Sequence, residues 1–248
     1  MKTTIIALLS LTAWSQSPLT GSFVLAEEGG GGTNAIAALG IVTFDGKGNA
    51  TGNQFVQTQG SAQTIPVSGR YTIAPDGSGT LVMNTQIPTE DGPAPAISAT
   101  YEFFSVKAAG FVAVRKDAAM ATIAKFLPLG KVRELNGSFL YEGEGVSASG
   151  QSRAEIAVLQ MRADGSLAGK LVVRNGAIQE PLSVTGSYVN GGNGMWTLRL
   201  ITPGDVDEEG NVGTKTITLL AAITSRGEWV AIHSDNSILG LGTIQPLQ

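Results

Sequence analysis

The sequence predicts an all-β protein made of two tandem up-and-down (meander) antiparallel barrels of about eight strands each. Three observations carry that prediction. The chain repeats itself: LTGSF at 19–23 returns as LNGSF at 135–139, VSGRYTI at 67–73 as VTGSYVN at 184–190, and FVAVRKD at 111–117 as WVAIHSD at 229–235. Gly21 and Gly137, Gly52 and Gly169, Tyr71 and Tyr188, Phe111 and Trp229, and Pro128 and Pro246 keep a nearly constant offset. Short β-branched and apolar runs alternate with Gly/Asn/Asp clusters, the spacing of small sandwiches and barrels. Helix signals are missing: only 118–125 is helix-compatible, and its counterpart at 237–243 carries two glycines.

The first repeat spans 18–128, the linker 129–134 and the second repeat 135–248. Each repeat is long enough for a core of its own. Strand one of the first copy covers 20–27 and carries Phe23. Strand two (34–45) ends at the turn Asp45-Gly46-Lys47-Gly48, and strand three (50–58) leads from it. Strand four (64–74) ends at Pro75-Asp76-Gly77-Ser78-Gly79, which starts strand five (79–87). Strands six (96–106) and seven (110–116) meet at Ala109-Gly110, and strand eight covers 120–127. The second copy answers with strands at 136–142, 152–163, 167–174, 181–190, 194–202, 214–224, 228–234 and 238–245.

The turns sort into two kinds. Those after strands two, four and six are tight and rich in Gly and Asp, as hairpins needing positive φ require. Those after strands one, three and five are longer. In a meander, alternate turns lie at opposite ends, so each copy has a tight end and a loose end. Long loops on a rigid scaffold and barrel mouths are where ligands bind.

Composition narrows the chemistry. With 16 basic and 20 acidic residues the formal net charge is −4, which offers no footprint for nucleic acid. The absence of cysteine removes disulfides, thiolate metal sites and cysteine nucleophiles. Lys2, the mostly apolar run Ile5–Trp14 and Ala13-Trp14-Ser15 read as a secretory signal cleaved after Ser15, hence a secreted or periplasmic protein. That run is too short to cross a bilayer, and no second long apolar run follows it. An outer-membrane barrel would need aromatic girdles, which 6% aromatic residues hardly supply.

The one histidine, His233, shares a strand face with Trp229, and Arg115 is its counterpart in the first copy. A cation at one place in both barrels could meet an anionic ligand inside; the competing reading leaves both in water. A Ser-His-Asp triad would have to be built on His233, with Asp235 close by in sequence, and no Gly-x-Ser-x-Gly elbow accompanies it. The loose ends gather most of the acids, among them Glu27, Glu28, Glu90, Asp91, Glu142 and Glu144. Arg115, Trp229, His233, Glu90, Asp91, Glu142 and Glu144 are therefore the candidate ligand-binding residues. Asp205, Asp207 and Glu209, followed by Gly210 and Asn211, imitate the start of a calcium loop, without the position-12 glutamate or flanking helices of an EF-hand. Calcium is the single cofactor the sequence suggests. The pairs Tyr71/Tyr188, Phe23/Phe139 and Phe111/Trp229 read as a core layer in both copies.

The small meander barrel, the starts Gly21-Ser22-Phe23 and Gly137-Ser138-Phe139, and the Asp-Gly hairpins resemble the calycin superfamily of lipocalins and avidin-like barrels. The two copies are also similar to repeats of secreted soil-bacterial proteins that carry no assigned activity. The calycin resemblance implies a ligand-holding barrel and names no ligand. The sequence thus points to non-catalytic binding of a small molecule or glycan at the loose ends. A carboxylate enzyme acting on carbohydrate or ester substrates, and a structural or adhesive surface module, are the alternatives.

Overall fold

The computed structural model describes residues 18–30, 35–58, 61–85, 88–89, 92–93, 97–106, 110–116, 121–131, 135–147, 150–178, 180–206, 212–235 and 238–247. The signal-like stretch 1–15 lies outside them. Among the described residues there is no helix.

The first repeat forms β1 (Thr20–Gly29), β2 (Ile36–Asp45), β3 (Asn49–Thr58), β4 (Ser61–Ile73), β5 (Ser78–Thr85), the two-residue pair β6 (Pro88–Thr89) and β7 (Gly92–Pro93), β8 (Ile97–Val106), β9 (Gly110–Arg115) and β10 (Thr122–Pro128). The eight long strands close in the order β1-β10-β9-β8-β5-β4-β3-β2. The second repeat forms β11 (Gly137–Ser147), β12 (Ser152–Met161), β13 (Ser166–Asn175), β14 (Ala177–Ile178), β15 (Leu182–Asn190), β16 (Met195–Val206), β17 (Val212–Ile223), β18 (Trp229–His233), β19 (Ile238–Leu239) and β20 (Leu241–Pro246). Its long strands run β12-β11-β20-β18-β17-β16-β15-β13 and close through β12 on β13. All pairings are antiparallel, and both barrels are meanders, as the turn pattern predicts.

The repeat holds down to register. Phe23 faces Pro128 across β1 and β10, and Phe139 faces Pro246 across β11 and β20. The Tyr71 hydroxyl donates to the Leu19 carbonyl, and the Tyr188 hydroxyl to the Leu135 carbonyl. Gly52 and Gly169 match as well. A Cβ at either would lie 2.0 Å from a carbonyl oxygen of the neighbouring strand, so only glycine lets the strands approach this closely. At the tight end, Gly77 and Gly194 take positive φ, as their turns require.

Inward faces fill each barrel with side chains. In the first, Phe44 meets Phe23, Tyr71, Phe111 and Phe126 within 6 Å, and Phe111 stacks on Phe126 at 4.3 Å. In the second, Trp196 packs on Trp229 at 5.6 Å and on Tyr188 at 5.9 Å. The expected core layer is in place: Phe23, Phe139, Tyr71, Tyr188, Phe111 and Trp229 are all buried.

A third apolar cluster joins the barrels. Val24, Ala26, Ala37 and Leu39 on the outer faces of β1 and β2 pack with Ala222, Val230 and Ile232 on the outer faces of β17 and β18. Gln57 donates to the Ile238 carbonyl at 2.7 Å, and Glu28 accepts the Leu241 amide at 2.7 Å. Leu129 of the linker bridges Thr224. The two tight ends flank the linker, and the two loose rims lie side by side.

Candidate functional site

Alternation along β12 puts Glu155 on the same face as Ala157, Leu159 and Met161, inside the second barrel. Alternation along β18 does the same for His233 behind Trp229 and Ala231. Tyr141 on β11 lies between them. Glu155 Oε2 is 3.1 Å from His233 Nε2 and 3.3 Å from the Tyr141 hydroxyl, which itself is 3.1 Å from Nε2. Arg153 donates from Nε at 3.1 Å and from a terminal nitrogen at 2.6 Å to Glu155 Oε1. Asp235 Oδ1 stands 3.4 Å from His233 Nδ1. The side chains of Glu155 and His233 are 0% and 4% exposed.

Two carboxylates, one guanidinium and one imidazole balance to zero charge only when the imidazole is protonated. Burial pulls the His233 pKa down, but hydrogen bonds and charge from Asp235 and Glu155 outweigh it and raise it above its ordinary value. Burial likewise pushes Glu155 up, and His233 with Arg153 overcomes this and holds it below the usual carboxylate range. The Tyr141 hydroxyl is pushed well above its ordinary value by burial and by the Glu155 charge, so it stays a neutral donor.

The first barrel carries a related group built from other positions. Glu27 is 2% exposed, and the Tyr101 hydroxyl lies 3.0 Å from both its carboxylate oxygens. Register makes Glu27 equivalent to Gly143 and Glu155 equivalent to Ala38, since Glu27 pairs with Ala38 and Gly143 with Glu155. The buried acid has moved to the neighbouring strand. The cation site has not moved: Arg115 faces Tyr101 across β8 and β9 as His233 faces Leu219 across β17 and β18. Glu27, expected in a loose loop, is an interior residue instead.

A groove of about 630 Å³ separates the loose rims. Glu28, Gly29 and Ile36 line it from the first barrel, and Glu144, Arg153, Arg174 and Gly240 from the second. Arg153 thus touches the groove while its guanidinium is held from behind by buried Glu155. Of the sequence candidates, Glu144 lines this groove, and His233 stands behind Arg153 through Glu155. Glu142 is exposed on the outer face of β11, and Arg115 is half-buried in the first barrel. Trp229 sits in the core at the tight end, at the edge of a cleft of about 750 Å³ that Lys131 and Arg226 also line. Glu90, Asp91, Asp207, Glu209 and Asn211 lie outside the described residues, and Asp205 falls in β16. Among the described residues no three His, Asp or Glu side chains are grouped to hold a metal ion.

Sequence reasoning did not find Glu155, Arg153 and Tyr141. One signal was there: Glu155 interrupts the inward face Ala157, Leu159, Met161 with an acid, and an acid on an apolar face needs a partner. No helix among the described residues is long and apolar enough to cross a membrane. Comparison of the chain with protein-family models and with curated proteins finds no match.

Proposed function

We propose that the chain is an exported, non-catalytic binding protein of calycin-like type that holds a small polar molecule or short glycan between its two loose rims. The observation that supports this reading is Arg153. Its head is fixed by the sealed carboxylate of Glu155, and the residue is among those lining a groove of ordinary ligand size. A donor already held in place loses little conformational freedom on binding. Arg174 adds a second cation and Glu28 and Glu144 two acids, while glycines, Ser152 and small or aliphatic side chains line the rest, a surface with polar groups for hydroxyls and carboxylates. Asp205 near the end of β16, with Asp207, Glu209 and Asn211 following it in the sequence, is the stretch that would hold calcium.

The carboxylate-enzyme reading has less support. Glu155 and Asp235 flank the two nitrogens of one imidazole, and the pKa of Glu155 is lowered. A general acid needs a raised pKa and reach to a substrate.

The test is a thermal-shift screen with tri- and tetrasaccharides, small dicarboxylates and calcium chloride, followed by calorimetric titration of every compound that shifts the melt. A ligand at a hundred times its dissociation constant adds about 2.7 kcal/mol of stability. Arg174→Ala removes an exposed groove cation that is no part of the buried cluster, and weakens binding at least about tenfold. No shift with any compound, or equal affinity in Arg174→Ala, defeats the reading.

A further inference from the structure

We infer that this chain associates head to tail with further copies of itself, using again the interface that already joins its two barrels. The internal contact is heterologous. It sets the β1–β2 face of the first barrel against the β17–β18 face of the second. Because the barrels are repeats, each also carries the face it does not use here. The first barrel has the equivalent of the β17–β18 face on β8 and β9. The second has the equivalent of the β1–β2 face on β11 and β12.

Both unused faces are apolar and exposed at the matching positions. Register equates Phe104, Val112 and Val114 with Ala222, Val230 and Ile232. The first three are 70%, 48% and 51% exposed, whereas the second three are 0%, 8% and 1% exposed. Ile123, 53% exposed, stands where Leu241 packs into the internal cluster. On the other face, Ile156 and Val158 stand where Leu39 and Ile41 pack. They are 45% and 48% exposed, and Leu39 is 0%. Leu247 repeats Leu129: their amides donate to Ser138 and Ser22, the same residue of each copy. Seven of the ten large apolar side chains recorded as exposed among the described residues therefore occupy positions of one interface. Scattered exposure is ordinary on a surface; exposure gathered on two complementary faces is not.

One polar acceptor is kept: Glu144 stands where Glu28 accepts the Leu241 amide. Charges temper the outer contact: Glu102 and Lys125 replace Leu220 and Thr243, and Glu142 and Arg174 replace Ala26 and Gln57. These are two of each sign, so the association is weaker than the internal one and depends on concentration.

A heterologous contact closes into a ring or continues as a helix. Strands β2 and β9 are three steps apart around eight strands, about 135°. Barrels repeated in a plane at that angle close near eight, about four chains; a rise along the barrel axis opens the ring into a helical filament.

The test is sedimentation velocity on the full chain up to about 1 mM, where contacts of millimolar strength still register. The weight-average mass at least doubles with concentration. Val112→Lys and Val158→Glu each block one face at exposed positions that do not line the ligand groove, and melting curves establish that both still fold. Each variant alone stays monomeric. Their equimolar mixture keeps one intact pair of faces and forms a 1:1 dimer that grows no further. A wild-type chain that is monomeric throughout, with or without affinity for lipid vesicles, overturns the inference, as does a mixture that stays monomeric or variants that assemble like the wild type.

Discussion

At the scale of single residues, the decisive group is His233. An imidazolium sealed between Glu155 and Asp235 ties three strands together through Tyr141 and Glu155, and its charge state couples stability to pH. Its folded pKa is raised, so its contribution is complete below the ordinary value of 6.5 and is lost as pH rises through the folded pKa. Glu155 is lowered, so its contribution is complete above the ordinary 4.5 and is lost as pH falls through the folded value. His233→Gln removes the cation and leaves the two acids facing a neutral amide. Melts of wild type and variant across pH will show the largest gap between the two ordinary values, about 3–5 kcal/mol for a broken buried pair. The gap narrows as the solution becomes more alkaline. A gap that widens as pH rises toward 6.5 and then holds would show that the imidazole is neutral in the folded chain. The face that His233 shares with Trp229 was legible from alternation, but whether His233 points inward or into water was left open, and the structure buries it. Its partners were not legible, because Glu155 and Tyr141 come from strands far off in sequence, and alternation fixes a face without fixing who shares it.

At the scale of strands and turns, nearly everything was legible, since tight turns and period-two alternation are local chemistry. The Asp76 and Asp164 turns illustrate it: each aspartate accepts the amide and hydroxyl of the serine two residues on, Ser78 or Ser166. The loose loops resisted, because length without turn chemistry specifies no conformation. Gly52 and Gly169 show why two copies say more than one. A single glycine in a strand suggests a bulge or a close approach; the same glycine at the same register in both barrels marks a geometric need. Gly169→Ala puts a methyl group 2.0 Å from the Val158 carbonyl oxygen and must part β12 from β13. Urea unfolding will register a loss of about 2 kcal/mol or more, as overpacking against fixed backbone does. Gly191→Ala, whose nearest added contact is an ordinary 3.4 Å, is the control and stays within about 1 kcal/mol. Equal costs at the two sites would mean that β12 and β13 yield without penalty.

At the scale of the whole molecule, the duplication and the packing of the copies through an apolar flank were legible from sequence, but which strands make the join was not. The clue lay in strands without alternation. All five residues of β18 are buried, and Ala37, Ala38 and Leu39 in β2 are buried in succession. A strand apolar on both faces is covered on both, and in a barrel the second cover must come from outside the barrel. Ile232 lies in that join, 1% exposed, beside Val230 and Leu39. The cluster couples the barrels, so the wild-type chain will melt in a single calorimetric transition. Ile232→Asp buries an unpaired carboxylate between them, at a cost that exceeds the lost apolar contact. The barrels then part rather than unfold, because each interior is a separate cluster that Ile232 does not enter. The calorimeter will record two transitions, with the phenylalanine-rich first barrel and the tryptophan-bearing second barrel told apart by fluorescence of Trp196 and Trp229. If Ile232→Asp still melts in one step at the wild-type temperature, the join does not couple the barrels. If it loses both barrels together, neither core stands without its neighbour.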